Sequence, residues 1–271
     1  MTHIVITGGA SGIGRSLARR LAARGERVSV LDRAPAAEWW GTIPDAGRGL
    51  WQVVDVTDGS GVAAALCAAE AAEPLTGLAT CAGAVSHESV LDIGQAEFAR
   101  LIDVNVWGAI TTAQTFARIL VDADRPGAIV TVSSTAGLGY VSGLGIAYHA
   151  SKHALIGATR SLAGDLACHG IRATCVAPGL VRTPMSAHER ETLGEDRLAA
   201  RAPAGRLAEP EEVAAAIAWL LSPAASLVTG HVLPVDGGQA SLAVPLAGGY
   251  APACVDTRSL PHDLTPEEVH P

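Results

Sequence analysis

Ile4-Val5-Ile6-Thr7-Gly8-Gly9-Ala10-Ser11-Gly12-Ile13-Gly14-Arg15-Ser16-Leu17-Ala18-Arg19-Arg20-Leu21 is the stretch that decides the architecture. An apolar β-branched run reads as a buried strand, the glycines that follow break it, and Leu17, Ala18 and Leu21 return at helical spacing. Glycine is needed where a backbone turns sharply and must approach a ligand closely, and the N-terminus of the following helix offers unpaired N–H groups and the positive end of its dipole. A glycine-rich turn elsewhere is only a turn. Placed between a first strand and a first helix, Gly8, Ser11, Gly12, Ile13 and Gly14 predict a seat for the pyrophosphate of a dinucleotide.

Outward from that unit the same alternation repeats. β-branched runs recur at 28–31, 53–54, 129–132 and 174–176, and Ala- and Leu-rich helical spacing covers 13–24, 60–72, 95–121, 147–168 and 210–221, the last opened by Pro210. Strands alternating with helices imply right-handed crossovers and a doubly wound, mainly parallel α/β sheet in a single domain, a Rossmann-type fold over residues 1–238. After Gly237-Gly238 the composition changes, and 239–271 reads as a tail. Within it Leu242, Val244 and Leu246 predict that 241–246 docks on the body, while the prolines and acids beyond predict weak order.

Composition narrows the classes of function. Of 271 residues 49% are hydrophobic and 17% charged, with a formal net charge of −8. That is a globular chain with no electrostatic case for nucleic acid or an anionic membrane surface, so a small-molecule partner is expected. Five cysteines without paired spacing argue against a disulfide framework and a zinc site. The strand-like start and the lack of a spanning apolar run predict a cytoplasmic protein with no targeting segment.

The second strand ends at Asp32-Arg33, about twenty residues past the glycine loop, where a carboxylate can accept hydrogen bonds from ribose hydroxyls. It would repel a 2′-phosphate. Arg33 is the competing signal, able to receive that phosphate, but Ser11 and not a basic residue precedes Gly12, so NAD is the expected cofactor.

In Ala147-Tyr148-His149-Ala150-Ser151-Lys152 the tyrosine and lysine stand one helical turn apart on one face. A phenol ionises only near pH ~10, and a cation beside it favours the charged form. Alone, the pair is a common feature of solvated helices.

With its company it is not. The chain resembles the short-chain dehydrogenase/reductase family from about residue 2 to residue 238. The family's T-G-x-x-x-G-x-G is Thr7 to Gly14, its catalytic serine corresponds to Ser134 in Val132-Ser133-Ser134-Thr135, its Pro-Gly segment matches Pro178 to Thr183, and its terminal Asp-Gly-Gly is Asp236 to Gly238. The resemblance implies an NAD-dependent oxidoreductase interconverting an alcohol and a ketone. Tyr148 would be its general base or acid, and Lys152 would lower the tyrosine pKa and hold the nicotinamide ribose. Ser134, with Thr135 as a lesser alternative, would bind the substrate oxygen, and Asn105 would hold a relay water. It further implies Asp55 and Val56 beside the adenine, Cys81, Ala82 and Gly83 on the cofactor floor, and Pro178, Gly179, Val181 and Thr183 around the carboxamide.

A homo-oligomer, tetramer or dimer, packed through helices 95–121 and 147–168 is implied as well. Residues 184–209 would form the lid, compatible with a small cyclic, sugar-like or diol substrate. Two competing functions use the same residues: epimerisation or dehydration with retained NAD, and nucleotide sensing without chemistry.

The chain departs from the family pattern where Cys81 replaces an asparagine, which reads as a space-filling residue. His149 and His153 read as solvated or subunit-contact side chains, and Trp39-Trp40 as a packed pair in a loop.

Overall fold

The computed structural model describes residues 2–241; residues 242–271, and with them nearly all of the segment expected to dock, lie outside the described residues. The first strand, β1 (His3–Thr7), is buried at every position, which is what a Val/Ile run covered on both faces requires. The chain continues through α1 (Gly12–Ala23), β2 (Arg27–Asp32), the short α2 (Glu38–Gly41), β3 (Arg48–Val53), α3 (Gly59–Ala72), β4 (Gly77–Thr80), α4 (Gln95–Ile102) and α5 (Gly108–Asp122). There follow β5 (Gly127–Val132), α6 (Ile146–Leu166), β6 (Ile171–Pro178), α7 (Ala187–Leu193), α8 (Glu195–Ala199), α9 (Pro210–Leu221) and β7 (Val232–Val235).

All seven strands are parallel, in the order β3-β2-β1-β4-β5-β6-β7. Leu17, Leu21, Val213 and Ile217, from α1 and α9, cover one face with Ile4, Ile6 and Val30. Leu66, Phe116, Leu120 and Ala163, from α3, α5 and α6, cover the other with Val5, Leu78 and Ile129. The order reverses between β1 and β4, and crevices at such a reversal open above the carboxyl ends of the strands.

Several boundaries differ from the sequence reading for local reasons. The third strand lies at Arg48–Val53 rather than at 53–54, because Trp51 pairs with Val30 and Trp51 Nε1 donates to the Ala34 carbonyl at 3.0 Å. Strands β4 and β7, only four residues each, carry too little pattern to stand out. The long helix expected over 95–121 is interrupted by a π-helical turn at Asp103–Trp107, an irregularity that moves Asn105 out of the α-helical register. Trp39 and Trp40 sit on α2 and not in a loop, and both pack edge-on against Trp51. Glu212 closes α9 as a capping box with Glu209, beside Pro210 at the first turn.

Candidate active site

Two cavities meet above the carboxyl ends of the strands. The larger, about 470 Å³, is lined by Gly8, Ser11, Gly12, Ile13 and Gly14 from the first turn, by Asp32 and Arg33 after β2, by Asp55 and Val56 after β3, and by Cys81, Ala82 and Gly83 after β4. Every residue expected on the phosphate, adenosine ribose, adenine and floor positions therefore borders one groove, while Lys152, expected on the nicotinamide ribose, borders the other. The smaller, about 140 Å³, is lined by Ser134, Thr135, Tyr148, Lys152, Pro178, Gly179, Val181 and Thr183. Ile13, Cys81, Gly83, Val85, Thr183 and Met185 border both.

The groove is shaped by bare backbone. A Cβ on Gly14 would stand 2.3 Å from the Gly8 carbonyl oxygen, and one on Gly8, whose φ is +70°, would stand 2.6 Å from the Ala82 nitrogen. Ser11 precedes α1 without a side-chain cap, and the Arg15 N–H is the one that returns to the Ser11 carbonyl, at 3.1 Å. The N–H groups at the very start of α1 thus face the groove as donors for an anion. Asp32 spends one hydrogen bond per oxygen on backbone, from Ala10 and Ala34 at 2.9 Å each. A carboxylate oxygen can accept a second. Asp55 is held below its usual range by the Thr57 N–H and hydroxyl. A dinucleotide fits this donor set and these clearances.

In the smaller cavity β5 delivers Ser133 and Ser134, and α6 delivers Tyr148 and Lys152. Ser133 Oγ donates to the Lys152 carbonyl at 2.8 Å, which ties the strand end to the helix. The Lys152 ammonium donates to the Val132 carbonyl at 3.0 Å and lies 5.6 Å from the centroid of the Tyr148 ring. Burial sets both groups. The phenol is pushed up to about 12 by desolvation, opposed by a hydrogen bond with Ser134 and reinforced by the charge of Glu189. Lys152 is pushed down to about 8, also by desolvation. Removing the phenolate from water thus decides the direction, and the expected lowering by the lysine is not seen. Cys81, pushed up to about 12 by burial against the pull of Lys152, is a neutral thiol, as the space-filling reading requires.

Asn105 borders neither cavity. Its amide clasps Ala84 in both directions, accepting at 2.7 Å and donating at 2.9 Å, and donates to Ser151 Oγ at 3.0 Å. It stands behind Gly83, where an added Cβ would meet Asn105 Oδ1 at 3.3 Å and Lys152 Nζ at 3.6 Å. The side chain binds the β4 loop to α6 rather than reaching into open space.

Other placements were not legible. His149 is half-buried, not solvated: it accepts from the Val141 N–H at 3.0 Å, bonds the Gly145 carbonyl at 2.9 Å and stacks on Tyr140. It pins the loop ahead of α6 that walls the smaller cavity. Asp236 caps the last turn by accepting from Gly238 and Ala240 at 2.9 and 2.7 Å, and a Cβ on Gly179 would stand 3.0 Å from its Cα. Met185 and Leu198 of the anticipated lid line the cavity, joined by Glu189 and Arg201, which no sequence pattern singled out. Among the described residues no group of three His, Cys, Asp or Glu is placed to hold a metal ion, and no helix is long and apolar enough to cross a membrane.

Comparison with known proteins gives this geometry a context. A family model described as enoyl-(acyl carrier protein) reductase matches residues 8–240. The chain is 41% identical to the cis-4-hydroxycyclohexanecarboxylate dehydrogenase of Sinomonas cyclohexanicum, across 88% of this chain and 96% of that protein. It is 38% identical to the galactitol 2-dehydrogenase (L-tagatose-forming) of Cereibacter sphaeroides, across 86% and 92%. A 3-oxoacyl-[acyl-carrier protein] reductase from Brucella melitensis, solved with bound NAD, superimposes with a TM-score of 0.79 at 31% identity, covering 89% of this chain and 92% of that one.

Proposed function

This chain belongs to the short-chain dehydrogenase/reductase family and is an oxidoreductase acting on CH–OH groups; from that premise we propose that it is an NAD-dependent dehydrogenase of a small secondary alcohol or diol. The observation that carries the reading is the junction of the two cavities at Ile13, Cys81 and Gly83, which sets the groove beside Asp32 against the pocket holding Ser134 and Tyr148. The nicotinamide, when bound, supplies the hydride acceptor or donor.

The protein's residues do the rest. Ser134 donates to the substrate oxygen and so fixes the carbon that exchanges hydride, while Tyr148 takes the hydroxyl proton in oxidation and returns it in reduction. The high pKa that burial gives Tyr148 keeps its proton on at neutral pH, which favours the acid role and makes oxidation depend on a nearby cation. Lys152 supplies that cation and orients the ribose. Asn105 contributes to the relay from behind the Gly83 turn, fixing Ala84 and Ser151. Asp32 selects NAD by accepting ribose hydroxyls and repelling a 2′-phosphate, and Pro178, Gly179, Val181 and Thr183 wall the carboxamide end.

The dehydrogenase of cis-4-hydroxycyclohexanecarboxylate and that of galactitol support a cyclic or polyol substrate. We further infer a homo-oligomer through the α4–α5 and α6 surfaces, where Trp107 stays 56% and Ile146 41% exposed; light scattering of the purified chain reads its mass. The free thiols of Cys67, Cys81, Cys168 and Cys175 support a cytoplasmic setting.

The test is absorbance at 340 nm with NAD and a panel of secondary alcohols and cyclic diols. Stoichiometric NADH carries the proposal. Product formation without net NADH would replace it by epimerisation or dehydration, and cofactor binding without turnover of any alcohol by nucleotide sensing.

A further inference from the structure

The smaller cavity contains a carboxylate that the proton-transfer residues do not use. Glu189, on the lid helix α7, lines it together with Tyr148, Leu144, Met185 and Arg201. Its side chain is only 11% exposed. His87 Nε2 lies 3.7 Å from Oε1, and His87 is itself held by the Gly143 carbonyl at 2.9 Å. The second oxygen, Oε2, is buried and has no hydrogen-bond partner among the described residues. The charge of Glu189 is felt at the Tyr148 phenol, so the carboxylate belongs to the environment of the reacting hydroxyl.

A buried carboxylate oxygen accepts hydrogen bonds and offers none, and leaving it unpaired is costly. Among the described residues no side chain meets that need: His87 faces the other oxygen, and the hydrogen bond that Arg201 makes runs from Nη1 to the Ser142 carbonyl at 3.0 Å. The cavity that Glu189 lines is where a donor from the substrate can meet this carboxylate. We propose that Glu189 is the specificity-determining residue of this cavity, its carboxylate accepting a hydrogen bond from a second hydroxyl of the substrate and so selecting neutral diols and polyols over mono-alcohols and over carboxylated alcohols. The proposal rests on the alcohol-dehydrogenase reading above and deepens it. A mono-alcohol leaves the oxygen unpaired inside the pocket, and a carboxylated alcohol sets like charge against it. Arg201, which could attract a carboxylate instead, is the competing group.

The test is steady-state kinetics of the full chain and of its Glu189→Gln and Glu189→Leu variants, with NAD and NADP. The substrates are cyclohexanol, the 1,2-, 1,3- and 1,4-cyclohexanediols and 4-hydroxycyclohexanecarboxylate. The native chain is expected to favour at least one diol over cyclohexanol by roughly ten- to a hundredfold in kcat/KM, the range a hydrogen bond to a charged acceptor supplies. Glu189→Leu is expected to bring that ratio close to one, mainly through KM for the diol. Glu189→Gln keeps an acceptor oxygen, so it should recover part of the ratio and raise kcat/KM for the carboxylated substrate.

A native diol ratio near one, an equal loss on diol and mono-alcohol in Glu189→Leu, or a native preference for the carboxylated substrate would each overturn the assignment. The last would hand specificity to Arg201. If the native chain reduces neither cofactor with any of these alcohols, the dehydrogenase reading itself fails and the role of Glu189 falls with it.

Discussion

The groove along the glycine loop and the smaller cavity lined by Met185 and Leu198 share a wall, yet they are built by opposite means. The groove is backbone closing on backbone: Gly8 and Gly14 leave no room for a Cβ, and its polar ends, Asp32 and Asp55, are each tied to main chain within a few residues of their own strand or of the loop. The cavity is side chains brought from far apart, Ser134 from the end of β5, Tyr148 and Lys152 from α6, Met185 and Glu189 from the lid, Arg201 beyond α8. A site of the first kind tolerates little change and is general for its ligand. One of the second kind can be rewritten residue by residue without disturbing the first, which is how one sheet serves many substrates.

If the two regions are separable, Tyr148→Phe should lower kcat by ~10²–10⁴-fold, the usual worth of general acid–base catalysis, while the Kd for NAD measured by calorimetry stays within about a factor of three. Retention of a tenth of the native rate would remove Tyr148 from the proton transfer. A large loss of NAD affinity would instead show that cavity and groove act as one.

Gly14→Ala strikes the other region. Its Cβ at 2.3 Å from the Gly8 carbonyl oxygen forces the turn open, an overpacking that costs about 1–3 kcal/mol. Thermal melts should show a Tm lower by several degrees, and NAD affinity should fall at least about tenfold. Unchanged affinity would mean that the clearance at Gly14 serves packing alone.

The buried lysine gives a contrast in pH. Lys152 is lowered to about 8 from 10.5, so between those values the unfolded chain holds a proton that the folded chain has released, and stability rises with pH through that window. Tyr148 is raised to about 12 from 10, so above pH ~10 the folded chain keeps a proton the unfolded chain has lost, and stability falls again. Replacing Lys152 by Met removes the first effect. The variant should melt higher than the native chain at pH 7, and the gap should narrow between pH 8 and 10.5. A gap that stays constant would mean that the ammonium is not penalised by burial.

The smallest effect is one of ratio. Asp32→Ala should weaken binding of both cofactors, since it frees the Ala10 and Ala34 N–H groups, but should narrow the preference for NAD over NADP by about tenfold. If the native chain already works faster with NADP, Arg33 rather than Asp32 decides the cofactor.

How much of this was legible follows the same division. The glycine turn and the one-turn spacing of Tyr148 and Lys152 were readable as geometry because each is a short-range pattern, and Asp32 because it ends the strand after the first helix. The interruption at Asp103–Trp107 was not readable, because the apolar spacing of a helix continues across a π-turn. His149 gave no sign of its loop-pinning bonds to Val141 and Gly145, since helical spacing reports its face and not what folds over that face.

The sequence by itself determined the parallel sheet, the glycine turn of the dinucleotide seat and the placing of Tyr148 and Lys152 on one helical face, because these arise from strand-helix alternation, local backbone geometry and one helical turn. Only the tertiary structure decided that Asn105 bonds Ala84 and Ser151, that burial and not Lys152 sets the Tyr148 phenol, and that Glu189, with an unpaired buried oxygen, lines the same cavity. Those depend on which side chains are desolvated together. Desolvation is a property of packing between segments distant in sequence, and no local pattern encodes it.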